Sequence, residues 1–257
     1  MNILAFFAHP DDETMLCGGT LALLAKNGAS VDYLCATRGE GGEVGEPPLC
    51  TQEELGAFRQ AELEKAVAAL GGISLTILDY IDPPVGQGDQ LFPYTQDVDQ
   101  LVHEIVLHIK RLKPVAIITH GSNGEYGHPA HLLTHRAARQ AVKSLGNHSP
   151  MLYTVQATFP EHPKPRLANK DDPAHLIIEI SDVIDMKINA AMHHRTQHAL
   201  FVRRGSQQAG RPLTVAETIT KIESLHRVSP AVNGRIDDSL VKFLFPTGSI
   251  LIPDVSR

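Results

Sequence analysis

The stretch Asn2-Ile3-Leu4-Ala5-Phe6-Phe7-Ala8-His9-Pro10-Asp11-Asp12-Glu13 decides how this chain is read. The apolar run from Ile3 to Ala8 has the pattern of a strand buried on both faces, and the acidic residues after it open a helical pattern. His9 and Asp12 therefore fall in a strand-to-helix turn, where open α/β sheets bind ligands. Taken alone, the turn has a plainer reading, in which Asp11 and Asp12 cap the helix and Glu13 complements its dipole.

A second cluster weakens that plainer reading. Thr119-His120-Gly121-Ser122-Asn123-Gly124-Glu125-Tyr126-Gly127-His128-Pro129-Ala130-His131 also follows a buried strand and also leads into a helix, with Pro129 suited to the first helical position. Two polar clusters at the carboxyl ends of strands are what a shared crevice needs. Strands are expected at residues 3–8, 31–37, 75–80, 115–119, 152–157 and 176–180. Helices are expected at 14–27, 53–70, 97–112, 131–145, 183–198 and 215–226. This alternation means a mostly parallel sheet covered on both faces. Residues 38–48, rich in Gly and Glu, and 82–93, rich in Pro and Gly, read as long loops and candidate pocket walls. Residues 160–173 read as a surface loop.

His9 and Asp12, three residues apart at a helix start, can converge on one ion, and His131 can complete a face of three ligands. Two histidines and a carboxylate suit a catalytic zinc that keeps a water, one ion per chain. The same set describes the facial triad of iron(II), so the ligands alone leave both metals open. Asp11, beside Asp12 but turned away by one residue, is the best placed base. His128, three residues before His131, should face the same crevice. Most of the other histidines, His103, His108, His135, His148 and His162 among them, read as ordinary structural residues.

These residues resemble the PIG-L/LmbE family of metal-dependent N-deacetylases. The likeness rests on His9-Pro10-Asp11-Asp12-Glu13 followed by Gly18-Gly19-Thr20, and on the later Tyr126-Gly127-His128-Pro129-x-His131. It is supported by Thr37-Arg38-Gly39-Glu40, by Arg59-x-x-Glu62, and by Lys187-x-x-Ala190-x-x-x-His194-x-Thr196-Gln197, so that it spans roughly residues 2–198. The resemblance implies a Rossmann-like three-layer α/β sandwich and zinc as the usual metal. It also implies Asp11 as base, His128 as the oxyanion stabiliser and acid, and Tyr126 as a mobile contributor. Arg59 and Asp82 would contact the substrate, and Arg38 with Thr37 would frame the pocket at the end of the second strand. Glu13 is expected to hold the loop, and Lys187, His194 and Gln197 to serve packing at least as much as chemistry. One departure is plain: the family's usual His-x-Asp-His is here His128-Pro129-Ala130-His131, which removes an expected charge partner of His128 but no metal ligand. Glu125 or another nearby carboxylate could substitute.

Composition fits this reading. A chain of 257 residues with 42% hydrophobic content can bury a full core, and it is expected to form one deacetylase domain with residues 199–257 as a C-terminal extension. The net charge of −6 disfavours a nucleic-acid or anionic-membrane surface. The start lacks a basic region and no apolar run approaches a membrane span, so a cytoplasmic protein is the default expectation. Cys17, Cys35 and Cys50 show no paired spacing for a disulfide or thiolate site. The glycines at 39–45 resemble a phosphate cradle, but Glu40 and Glu43 would repel a phosphate.

The expected activity is removal of acetyl from an N-acetylglucosamine-type sugar or conjugate, such as a bacillithiol or mycothiol precursor, in a protein whose relatives suggest trimers or hexamers. An iron(II) oxygenase and a catalytically silent metal-binding protein are the rivals. Neither needs a base at Asp11.

Overall fold

In the computed structural model, residues 1–232 and 236–245 are described. Strands β1 (Asn2–Phe7), β2 (Ser30–Thr37), β3 (Ser74–Tyr80), β4 (Ala116–Thr119) and β5 (Met151–Val155) run parallel. A separate ribbon pairs β6 (Ala157–Thr158) with β7 (Asn169–Pro173), and β8 (Leu176–Glu179) and β9 (Ile222–Ser229) add antiparallel pairings to the main sheet. The seven-stranded order is β3-β2-β1-β4-β5-β9-β8. The order reverses direction between β1 and β4, which leaves a crevice outside their carboxyl ends.

The sheet is buried on both faces, as the apolar run of β1 requires. Ile3, Ala5 and Phe7 enter one core with α1 (Asp12–Lys26), α2 (Leu55–Ala69), α6 (Ile184–His193) and α9 (Ser239–Leu244). Leu4, Phe6 and Ala8 enter the other with α3 (Val98–Leu112) and α5 (Pro129–Ser144). Helix α3 shows the local logic. Asp97 accepts from the Gln100 N–H at its start, Leu101, Ile105 and Ile109 bury one stripe, and Lys113 leaves the helix at φ 48°.

The sequence reading needs correction beyond residue 183. The expected helix 183–198 breaks after α6, and a second helix, α7 (His198–Ala209), continues beyond it. The expected helix 215–226 is only a capped turn, α8 (Val215–Thr218), followed by β9, which lies between β5 and β8 inside the sheet. Ladder pairing on both edges, with Leu225 fully buried, overrides the helical spacing of the apolar residues there. The expected loop 160–173 contains β7. The extension 199–257 is thus built into the sheet as far as β9, while 233–235 and 246–257 lie outside the described residues.

Strand β9 also supports the helix that carries the acidic turn. Helix α1 kinks at Cys17 (φ −153°, ψ 21°), which frees backbone donors in mid-helix. Buried Glu223 collects them, accepting from Gly19 N–H, Thr20 N–H and the Thr20 hydroxyl, and Lys187 Nζ lies 2.6 Å away. Removing one partner of a buried pair leaves an uncompensated charge. Lys187→Met is therefore expected to cost about 3–5 kcal/mol, or roughly 10 °C in Tm. Thermal unfolding followed by circular dichroism checks this, and an unchanged Tm would show that the pair contributes nothing.

Candidate metal centre and active site

The loop after β1 is held in a conformation that L-residues rarely adopt. Asp11 has φ 111°, a cost of order 1–3 kcal/mol that surrounding contacts must offset. Its N–H donates to Glu13 Oε2 at 3.1 Å, and buried Arg59 donates to the Pro10 carbonyl and lies 3.3 Å from Asp11 Oδ2. The same guanidinium donates to the Gly39 carbonyl at 2.9 Å. Gly39 has φ 70°, and a Cβ there would lie 2.2 Å from the guanidinium, so only glycine fits. Asp11 makes no side-chain cap for α1, contrary to the plainer reading of the acidic turn. Glu13 holds the loop as expected, and its other oxygen takes Thr14 and His194.

Asp12 lies between the expected ligands. One oxygen accepts from the His9 N–H at 2.9 Å and is 3.2 Å from His9 Nδ1; the other is 3.3 Å from His131 Nε2. Two atoms bound at about 2.0–2.1 Å to one tetrahedral ion stand roughly 3.3 Å apart, so this spacing suits ligands of a common ion. His9 Nε2 is buried and 3.2 Å from Asp82 Oδ1, yet has no hydrogen-bond partner. An unsatisfied buried nitrogen of this kind is consistent with a site for a cation. Two trios have ligand atoms that all lie within 4.8 Å of one another, His9 with His128 and His131, and Asp12 with His120 and His131; the expected trio of His9, Asp12 and His131 is not one of them among the described residues.

His120 was not assigned a role from the sequence. It is fully buried, its Nε2 accepts the Ala8 N–H at 3.1 Å, and its Nδ1 donates to Glu125 Oε2 at 3.0 Å. Both ring nitrogens are thereby occupied, which makes His120 a strut between the two clusters. Its position directly after a buried strand, like that of His9, was the available signal. Glu125, at φ 59° in the irregular turn α4 (Gly124–Gly127), also accepts from His131 Nδ1 at 2.6 Å. That bond fixes the His131 tautomer and turns Nε2 toward Asp12. The other Glu125 oxygen accepts from Gly121 N–H and the Asn169 amide.

These contacts set the charges of the ion-free protein. Burial opposes protonation of His9, but Asp82 and Asp12 push it up to about 9. His131, likewise against burial, rises to about 10 beside Asp12 and Glu125. Asp12 and Glu125 are held well below the carboxylate range by His131 and His120, although burial acts the other way. A cation bound here would displace these two protons, so its affinity would rise with pH. Burial raises Asp11 to about 6, with Arg59 pulling downward. Burial, then His9 and His131, lowers His128 to about 3. His128 Nδ1 accepts the Ala130 N–H at 3.2 Å, so a neutral ring carries its proton on Nε2.

His9, Asp11, Asp12, Arg59, Asp82, Tyr126, His128 and His131 border one cavity of about 370 Å³. Both long loops supply walls, meeting where a Cβ on Gly41 would lie 2.1 Å from the Pro83 carbonyl oxygen. Tyr126 is half exposed, with its ring edge-on to His128 and His131. Thr37 does not line the cavity, its buried hydroxyl donating to the Ala8 carbonyl, and neither does Arg38. The Arg38 side chain turns away to Gln60 and Asp79, drawn by a carboxylate on the outer side of β3. Gln197 lines it and donates to the Glu43 carbonyl. Lys187 and His194 serve the packing described above.

Comparison with known proteins follows the same residues. The model of the PIG-L family, GlcNAc-PI de-N-acetylase, matches residues 4–142. The 1D-myo-inositol 2-acetamido-2-deoxy-alpha-D-glucopyranoside deacetylase of Thermobifida fusca (strain YX) is 37% identical over 154 residues, covering 54% of this chain and 54% of that protein. The chain thus spans about half the length of the first curated relatives it matches. Among solved structures, N,N'-diacetylchitobiose deacetylase from Pyrococcus horikoshii superposes with a TM-score of 0.61 at 19% identity, over 99% of this chain and 87% of its own. GalB, the 4-carboxy-2-hydroxymuconate hydratase of Pseudomonas putida KT2440, does so at 0.60 and 20% identity, over 92% and 99%. At such identities the likeness shows the fold alone, and a hydratase among the neighbours shows why the reaction must be argued from the site.

Glu125 offers a direct test of the geometry. In Glu125→Gln, one end of the side chain becomes a donor and must face either the two imidazole N–H groups or Gly121 N–H. Affinity for a divalent ion at the cluster is expected to fall about 10–100-fold, measured by competition with a chromophoric chelator. Unchanged affinity would remove Glu125 from the support of His131.

Proposed function

The chain belongs to the PIG-L family, whose model is described as GlcNAc-PI de-N-acetylase, and from that premise we propose that it hydrolyses the N-acetyl group of an N-acetylglucosamine-type sugar or conjugate. His9, Asp12 and His131 would hold one zinc ion. The observation that carries the reading is Asp11: a partly buried carboxylate, kept at φ 111° beside the proposed ligand Asp12, opening on the same cavity as His128. Backbone strain of this kind clusters at functional sites, and here it presents the carboxylate to the cavity, where a base is needed.

When bound, the ion supplies Lewis acidity to a water and to the amide carbonyl. Asp11 takes the proton of the attacking water as its oxygen adds to the acyl carbon. His128 Nε2–H donates to the oxygen on which negative charge develops. The C–N bond then breaks, and Asp11 returns its proton to the departing nitrogen, so that acetic acid and a free amine form and, by passing on the remaining proton, leave as acetate and an ammonium group. A neutral His128 suffices for this sequence, and Asp11 takes over the acid role the sequence reading gave to that histidine. Arg59 holds Asp11 toward the cavity, Asp82 contacts the sugar beside His9, and the Tyr126 ring borders the reacting group. The inositol glycoside named for the Thermobifida fusca relative, together with bacillithiol and mycothiol precursors, gives the first compounds to assay.

The purified protein is expected to contain about one divalent ion per chain and to lose activity to a chelator. His9→Ala, Asp12→Ala and His131→Ala should each lower occupancy, because a three-ligand site rarely tolerates the loss of one. Metal analysis of the three variants checks this, and full occupancy in all of them would refute the ligand assignment. Asp11→Asn preserves shape without accepting a proton. It should retain metal while acetate release slows about 10²–10⁴-fold; near wild-type turnover with metal bound would exclude Asp11 as the base.

A further inference from the structure

We propose that the mouth of the cavity is a subsite for an apolar alkyl or aryl group carried at the anomeric position of the amino sugar, an inference that rests on the de-N-acetylase reading of the floor. The floor is polar, with His9, Asp12 and His131. The mouth is not. Val85, Leu91 and Phe92 from the 82–93 loop and Leu200 from α7 line it, and Val85 and Leu200 remain 50% and 47% exposed. Single exposed apolar residues are ordinary, but several converging from two separate elements on one cavity wall mark a binding surface.

The wall is constructed rather than incidental. The 82–93 loop closes on itself, with Gly86 N–H donating to the Gln90 carbonyl at 2.8 Å. The Phe92 ring packs against Gly86 so closely that a Cβ there would lie 2.9 Å from it, which fixes the ring in place. The charges around the mouth point the same way. Glu43, on the facing loop, is neutralised by two N–H donors of Arg203, at 2.7 and 2.8 Å. Arg59, the only lysine or arginine lining the cavity among the described residues, is bound to Pro10, Gly39 and Asp11. The Gln197 amide is held by Glu43 and Thr196. An anionic phosphodiester would therefore meet no free cation at the mouth, and a polyol would meet apolar carbon. In this inference the reacting carbonyl lies at the polar floor, and the wall receives a group on the sugar side of the amide.

The test compares kcat/KM of the metal-loaded protein for the methyl, hexyl and phenyl glycosides of N-acetylglucosamine, its inositol conjugate, and the N-octanoyl analogue of the methyl glycoside. Burying about 55 Å² of a hexyl or phenyl group against this half-open wall is worth about tenfold. The hexyl and phenyl glycosides should exceed the methyl and inositol compounds by about that factor, mainly through KM. Leu200→Gln and Phe92→Ser should each bring the hexyl-to-methyl ratio toward one. Equal values across the glycosides, or preference for inositol, would overturn the subsite and leave the deacetylase reading standing. Preference for the N-octanoyl compound alone would overturn its assignment to the anomeric group. No amine from any compound would overturn the deacetylase reading and this inference with it.

Discussion

The pairing of β1 with β4 is the constraint on which the site depends. The two strands lie in parallel register from Ile3 opposite Ala116 to Phe6 opposite Thr119, although more than a hundred residues separate them in the chain. Side chains then extend the ladder past its last backbone rung. The Thr119 hydroxyl donates to the Phe6 carbonyl, and the Ala8 N–H donates to His120 Nε2. The two clusters are therefore joined by hydrogen bonds before any ion is considered. Because the strand order reverses here, the following helices diverge to opposite faces of the sheet and leave the carboxyl ends uncovered.

Much of this was legible in the sequence because both strands are short apolar runs that end abruptly in polar residues. Continuous burial on two faces leaves no alternation to misread, and the change from apolar to polar marks the end of each strand. Strand β9 gave no such signal. Thr214 to Glu217 is a real capping box, which opens a helix that lasts only to Thr218. Beyond it, Ile222, Leu225 and Val228 fall at spacings that suit a helix stripe, and only pairing with β5 and β8 decides for a strand. At the site, residue types and spacing brought His9, Asp11, Asp12 and His131 forward as candidates, and all four border the cavity, but spacing did not give side-chain direction. Arg38 sits at the end of a strand facing the crevice, yet its long side chain follows Asp79 outward. His120 stands in the second polar cluster but received no role from the sequence, because its contacts with Ala8 and Glu125 form only in three dimensions.

Strain and charge are concentrated on the same few residues. Asp11 and Glu125, both carboxylates at positive φ, stand at corresponding places after β1 and β4. Each is fixed by donors from elsewhere: Asp11 by Arg59 of α2, Glu125 by Asn169 of β7. Asn169 also donates to the Val155 carbonyl, so the small β6–β7 ribbon braces the second cluster against the sheet. A conformation that costs energy persists only when such contacts over-determine it. The distribution of buried polar groups, rather than propensity along the chain, is what keeps these two turns in place.

Ala130 shows how the carboxylate of the second cluster has been arranged in this chain. Its side chain is fully buried in the core beneath α5, among Leu133, Ala137 and Phe6. An aspartate there would have to place its charge beside apolar side chains, with the Ala130 N–H already donating to His128 and its carbonyl accepting from Thr134. Glu125 instead approaches the imidazoles from the α4 turn and bonds His131 and His120, not His128. The expected charge partner of His128 is thus not replaced, and the carboxylate acts on the proposed ligand His131. With its Nδ1 accepting a backbone N–H, a neutral His128 carries its proton on Nε2, and in the proposed reaction proton transfer is assigned to Asp11.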